Sequence, residues 1–224
     1  MKSLYVGLMI NMVKTIIEKI DQKNPDTRTI RKAAEIVKSG GLVVYPTETC
    51  YGLAADATNV NAVKAVYAAK KRPKSKPIPI IVSSLWMMRK YGKITKSVKK
   101  IVKKFMPGPL TVVTDKRRTI PDVLNPREIA FRISSHPIAA KLVRTVGRPI
   151  TATSANISGQ PPIYKAKKLE IFNGKVDMIL DCGDLKKVKP STYVDARSFK
   201  VLRIGAIPRR TVLKFIERIQ KDNC

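Results

Sequence analysis

Histidine is almost missing: the 224 residues contain one, His136. A nucleophile–histidine–acid triad needs a histidine base, and this one precedes Pro137 at a predicted helix start, where capping or packing accounts for it. Cysteine is scarce as well. Cys50, Cys182 and Cys224 are odd in number, far apart and without paired metal-ligand spacing. That speaks against a disulfide framework or a zinc site and for a reducing cytoplasm. Neither G-x-x-x-x-G-K-[ST] nor G-x-G-x-x-G occurs. No apolar run reaches the length of a membrane span. The start, Met1 to Val13, is mildly apolar but contains Asn11 and has no small-residue cleavage pattern, so no signal peptide is expected, and Met12 is an alternative start. Acidic residues are few: 16 Asp+Glu stand against 45 Lys+Arg, a net charge of +29. The imbalance predicts attraction to polyanions, either nucleic acid or nucleotide phosphates. Its plain alternative is a solvated lysine-rich surface in a basic proteome or a high-salt cytoplasm.

What is present is an alternation of helical and strand patterns. Asp26 or Thr27 caps a helix with Ile30, Ala33, Ala34 and Val37 on one face, ended by Gly40-Gly41. Strand 42–45 follows. Asn59 caps a helix carrying Val63, Val66 and Tyr67 that runs into Lys70 and delivers Arg72 at its end. An apolar strand at 78–82, a short helix around Leu85 to Met88 and a Thr95-capped helix with Val98, Ile101, Val102 and Phe105 come next. Strands are predicted at 110–114 and 129–133, then a helix from Pro137 to Val146 ended by Gly147, and a strand at 149–153. A helix near 165–172, strands at 178–180, 191–195 and 201–204, and a helix after Pro208 complete the chain. The length and the absence of repeats or a Ser/Gly linker fit one α/β domain with a single mixed sheet and helices packed on it.

Three stretches carry candidate chemistry. Leu42–Tyr45 runs through Pro46 into a polar turn, Thr47-Glu48-Thr49-Cys50-Tyr51-Gly52, suited to a pocket floor. Lys70-Lys71-Arg72-Pro73-Lys74-Ser75-Lys76-Pro77 fixes cations between prolines beside it, as a phosphorylated substrate requires. Strand 149–153 breaks into a second hydroxyl-rich end, Ser154-Ala155-Asn156-Ile157-Ser158-Gly159. Each has an ordinary reading too: surface cations at a helix end, turn hydroxyls, a capping sequence. Arg132 is different. It lies inside an apolar strand, where a guanidinium either snorkels or meets an anion in a cleft. With covalent and zinc sets absent, positioning and electrostatics remain as the means of catalysis.

The ordered set Pro46–Leu53, Lys70-Lys71-Arg72-Pro73, Pro107-Gly108-Pro109-Leu110-Thr111, Ala130-Phe131-Arg132-Ile133 with His136-Pro137, Thr153–Gly159 and Leu202-Arg203-Ile204-Gly205 closely resembles the YrdC family of threonylcarbamoyl-AMP synthases, over residues 27 to 219. The resemblance implies an open, twisted, mostly parallel mixed sheet around a large basic concave cavity. It divides the chain into an extension at 1–26, a catalytic domain at 27–219 and a tail at 220–224. It also implies the reaction: L-threonine, bicarbonate and ATP give L-threonylcarbamoyladenylate and pyrophosphate.

On the matching positions, Lys70 and Arg72 are the expected catalytic residues. With Thr153, Ser154, Asn156 and Arg203 they are the expected ATP contacts. Thr47, Arg132, Ser154 and Thr192 are expected on threonine, with Arg132 gripping its carboxylate bidentately and Ser191 beside Thr192. Mg²⁺ is expected through ATP phosphate oxygens, with no side-chain ligand. The implied partner is a cytoplasmic threonylcarbamoyl transferase complex, KEOPS-like or its bacterial counterpart, acting on tRNA position 37; no membrane is involved. The chain resembles the short form, without the second domain of longer members, and reads Val82-Ser83-Ser84 where some members have a histidine. The competing reading is a non-catalytic accessory or translation factor that binds tRNA or other RNA on the basic concave surface.

Overall fold

The computed structural model describes residues 14–221. The choice between Met1 and Met12 as the start, and Cys224, lie outside the described residues. In chain order the elements are β1 (Ile16–Lys19), α1 (Thr27–Lys38), β2 (Val43–Pro46), β3 (Tyr51–Ala54), α2 (Val60–Ala69), β4 (Ile80–Ile81), α3 (Leu85–Tyr91), α4 (Lys96–Phe105) and β5 (Leu110–Asp115). They continue with β6 (Glu128–Arg132), α5 (Pro137–Val146), β7 (Ile150–Thr151), β8 (Thr153–Ser154), a 3-10 helix (Ala166–Phe172), β9 (Met178–Asp181), β10 (Thr192–Asp195), β11 (Lys200–Arg203) and α6 (Arg209–Lys221).

The helices begin where local chemistry starts them. Asp26 accepts from the Thr29 amide at 2.7 Å, Asn59 from Asn61 and Ala62, Ser84 from Met87, and Thr95 from Val98. Each such cap satisfies an orphan amide and stabilises its helix by about 1 kcal/mol. His136 does the same work, its Nδ1 accepting from the Ile138 amide. Ile30, Ala33, Ala34 and Val37 are fully buried along one face of α1, which packs on α5. Helix α4 meets α6 through Phe105 and Phe215, edge to face at 5.2 Å.

The α/β architecture agrees with the sequence reading, while the single, mostly parallel sheet divides in two. One sheet has the order β1-β9-β2-β3-β8 and the other β11-β10-β5-β6-β4-β7. Four pairings are parallel (β1–β9, β2–β9, β5–β10, β4–β6) and five antiparallel. The cause is the stretch 150–154, where one strand is expected over 149–153. It is interrupted at Ala152, whose amide donates to Pro79 O at 2.8 Å. Its first half, β7, pairs with β4, and its second half, β8, pairs with β3. One extended segment thus serves both sheets and forms the corner between them.

Two strands were not expected. Tyr51–Ala54 reads as the end of a turn but folds back antiparallel on β2. Gly52 permits this, since a Cβ there would lie 3.1 Å from the Tyr45 ring. Ahead of Thr27, β1 pairs in parallel with β9, so the sheet reaches into the stretch expected as an extension.

Candidate active site

The two sheets enclose a cavity of about 250 Å³. Its lining comes from the β2–β3 turn (Thr49, Cys50), the loop after α2 (Arg72, Pro79), β5 (Thr111), β6 (Arg132), the sheet corner (Ala152, Thr153, Ser154), Pro162, and the β10–β11 pair with its lead-in (Pro190, Ser191, Tyr193, Arg203). Six of the expected site residues meet there: Arg72, Arg132, Thr153, Ser154, Ser191 and Arg203. A recess of about 20 Å³ shares Thr49, Cys50 and Arg132 and adds Thr47, Tyr45, Gly52 and Ile81.

One pole of the cavity is built from cations held by oxygen acceptors that carry no charge. Lys70, 1% exposed, lies behind the lining. Its Nζ donates to Ser154 O, to Asn156 O at 2.6 Å and to Asn156 Oδ1 at 3.2 Å. All three ammonium protons are therefore engaged in fixing the Ser154–Asn156 loop, and the Ser158 amide returns a bond to Lys70 O. Burial, and then the Arg72 charge, bring the Lys70 pKa down to about 8. Asn156 also lies behind the lining: Oδ1 accepts from Ser154 Oγ and Nδ2 donates to Ile157 O and Gln160 O. Arg72 reaches the cavity itself. Its Nε and Nη2 donate to Lys76 O and Pro77 O, so the Pro-bounded loop that follows it aims the guanidinium.

The other pole is an ion pair. Arg132, 7% exposed, donates from Nε to Glu48 Oε1 at 3.1 Å and from Nη1 to Thr49 Oγ1 at 3.0 Å. Its Nη2 lies 2.9 Å from Glu48 Oε1 but, closed off from bulk water, makes no hydrogen bond. A buried guanidinium nitrogen that is ion-paired but makes no hydrogen bond has donors left for a ligand. Nε is occupied by Glu48 and one Nη1 proton by Thr49, so the bidentate grip expected from the sequence falls to the remaining protons of Nη1 and Nη2.

The remaining placements follow from strand alternation. Ser191 and Tyr193 face the cavity, and Thr192 faces away. Thr192 Oγ1 accepts from the Gly205 and Ile207 amides at 3.0 Å and donates to Ile207 O at 2.7 Å. Of the two residues expected on the threonine side, Ser191 lines the cavity and Thr192, turned away by strand alternation, does not. Gly205 is required for the same junction, since a Cβ there would sit 2.1 Å from Pro190 O. Thr47 lines only the recess, and its hydroxyl closes its own turn, donating to Cys50 O at 2.7 Å. Arg203 stacks on Tyr193 at 4.3 Å and donates to Ser191 O and Oγ. Ser191 in turn meets Thr111 Oγ1 at 2.9 Å.

Sequence reasoning places Thr49 in the pocket-floor turn without a role of its own and passes over Thr111 and Tyr193; the period-two pattern around Ser191 is the signal that could have found Tyr193. Burial pushes the Cys50 thiol up, which disfavours its thiolate.

Residues 35–205 match the Sua5/YciO/YrdC family model, described as "Telomere recombination". The chain belongs to this family. A threonylcarbamoyl-AMP synthase of Pyrococcus abyssi is 39% identical over 197 residues, which are 85% of this chain and 58% of its own length. A Methanocaldococcus jannaschii relative is 37% identical over 204 residues, 88% of this chain and 96% of its own length. Among solved structures, P. abyssi Sua5 complexed with L-threonine aligns with a TM-score of 0.86 at 37% identity, over 90% of this chain and 61% of its own. This member of the Sua5/YciO/YrdC family therefore spans the greater part, but not all, of the P. abyssi protein. Among the described residues no helix is long and apolar enough to cross a membrane.

Proposed function

We propose that this protein is a threonylcarbamoyl-AMP synthase. The observation that carries the reading is the pairing of the two poles across one cavity: Arg72 beside the Lys70-clamped loop at one end, and Arg132, with an ion-paired nitrogen that makes no hydrogen bond, at the other. The relatives' name and the threonine in the P. abyssi Sua5 structure support it.

The ATP phosphates lie against Arg72, Ser154 and Thr153, and the nucleotide extends toward Arg203. Lys70 and Asn156 act from behind, holding Ser154 in place. Arg132 takes the threonine carboxylate, and the recess beside it receives the small side chain. The cavity lining offers hydroxyls, guanidinium groups and a thiol but no carboxylate. That donor set fits phosphate oxygens rather than a resident metal. Mg²⁺ therefore arrives with ATP, bound by the phosphates, where it neutralises their charge.

The chemistry then needs alignment alone. The threonine amine attacks the carbon of CO₂ released from bicarbonate and loses a proton, forming a carbamate. A carbamate oxygen attacks the α-phosphorus, the Pα–O–Pβ bond breaks, and pyrophosphate leaves. The guanidinium of Arg72 meets the charge that develops on the phosphates. Residues 27–219 form the catalytic unit, with β1 as an added edge strand. The product passes in the cytoplasm to a threonylcarbamoyl transferase complex, KEOPS-like or bacterial, that modifies tRNA at position 37. A non-catalytic RNA-binding factor would need none of these inward-facing groups.

The test is pyrophosphate release from ATP with Mg²⁺ and bicarbonate, with L-threonine, with serine and with no amino acid. Threonine-dependent release is expected. Folded protein that releases none overturns the proposal.

A further inference from the structure

Glu48 stands at the tip of the β2–β3 turn and lines neither the cavity nor the recess. It lies behind Arg132, its side chain 15% exposed. Three donors converge on its carboxylate, Arg132 Nε and the Ser135 amide on Oε1 and Ser134 Oγ on Oε2, while Arg132 Nη2 lies 2.9 Å from Oε1 as an ion pair without a hydrogen bond. Ser134 and Ser135 approach from the loop after β6 and hold the carboxylate independently of the arginine. It is thus a fixed group, unlike a swinging plug that substrate would displace. It also bridges the sheets, since the turn belongs to one and β6 to the other. Burial pushes its pKa up, but Arg132 and the Ser134 hydroxyl outweigh this, and the carboxyl stays below its ordinary range.

The elements around the other cations lack such a group. Arg72 and Lys70 rest on carbonyl and amide oxygens. A phosphate dianion gains about twice the Coulomb energy of a carboxylate from an uncompensated buried cation, and a low-dielectric site magnifies the difference. A compensated cation offers no such bias, and only its directional hydrogen bonds remain to recognise a ligand.

We infer that Glu48 is the positioning residue that makes the Arg132 pole selective: it orients the guanidinium and cancels its charge, so that the pole takes the single carboxylate of a zwitterionic amino acid and refuses phosphate. The inference rests on the proposed synthase reading, in which threonine and ATP share the cavity. Without Glu48, phosphates of ATP or pyrophosphate would compete for both ends.

The experiment compares the full chain with Glu48→Gln and Glu48→Asp, measuring equilibrium binding of L-threonine and of ATP, displacement of threonine by inorganic phosphate, and the melting temperature. With Glu48→Gln, threonine should bind roughly tenfold more weakly, and phosphate should displace it at roughly tenfold lower concentration than in the unaltered protein. Glu48→Asp should restore part of the preference for threonine. Ser134→Ala, which removes one of the carboxylate's anchors while keeping both charges, should move both readings in the same direction by a smaller factor, and it serves if Glu48→Gln does not fold. Unchanged competition by phosphate overturns the inference, as does an equal loss of threonine and ATP binding with a lowered melting temperature, the mark of a merely structural bridge. Binding needs no turnover. Absence of pyrophosphate release therefore counts against the synthase reading alone, and unchanged competition against Glu48 alone.

Discussion

The two ends of the cavity hold their cations in opposite ways. At the Arg132 end a carboxylate sits beside the guanidinium, and the pair is nearly neutral. At the Lys70–Arg72 end the partners are backbone carbonyls and one amide oxygen, which bear partial charge only. Burying a charge demands polar partners in either case. The kind of partner decides what field is left over for a ligand. Carbonyls satisfy the donors and leave the positive charge to meet phosphate; a carboxylate satisfies the donors and removes it.

The largest effect should come from stripping the charged end. Lys70→Ala with Arg72→Ala is expected to lower threonine-dependent pyrophosphate release by about 10²–10³-fold, the range for losing a preorganised electrostatic contact. Making the ends alike should be nearly as damaging. Ser154→Asp would place a carboxylate beside Lys70 and Arg72, and the KM for ATP should rise at least roughly tenfold while that for threonine changes much less. A smaller effect, on stability, separates the two faces of β10. Thr192→Val removes the hydroxyl from three backbone partners and should cost about 1–3 kcal/mol. The melting temperature should fall by a few degrees, with no selective rise in the KM for threonine, because Thr192 faces away from the cavity.

The smallest and most specific effect is in pH. The Lys70 pKa is lowered from 10.5 to about 8. As pH rises through about 8 the ammonium loses a proton and with it one of its three bonds, so the rate should decline on the alkaline side. Stability should move the other way. Between about 8 and 10.5 the unfolded chain holds the Lys70 proton and the folded chain does not, so the cost of burying the charge, full below that window, is relieved across it. Chemical denaturation at pH 7.5 and at pH 10, run on the unaltered protein and on Lys70→Met and compared as differences, checks the sign.

Much of this site is legible in the chain because its parts are short and rigid. Arg72 follows a capped helix, Arg132 breaks an apolar strand, and Ser154 and Arg203 end strands; each announces itself within a few residues. Glu48 does not. Read locally it is one polar residue in a turn, and its meaning comes from Arg132, 84 residues away. Lys70 was read as a phosphate contact, yet its protons go to a loop 84 and 86 residues along the chain. Ser191 and Thr192 read alike in the sequence, and only the alternation of the strand separates the one that lines the cavity from the one that faces away.

Short-range signals in the chain suffice for the helices, their starts and the α/β class. Caps and apolar periodicity act within one or two turns, and Asp26, Asn59, Ser84, Thr95 and His136 fix their helices by bonds spanning two or three residues. Tertiary structure alone decided that the strands form two sheets, that 150–154 turns the corner between them, and which cation keeps its charge. Strand pairing and charge compensation join residues far apart in the chain. No local preference encodes them until the long-range partner is in place.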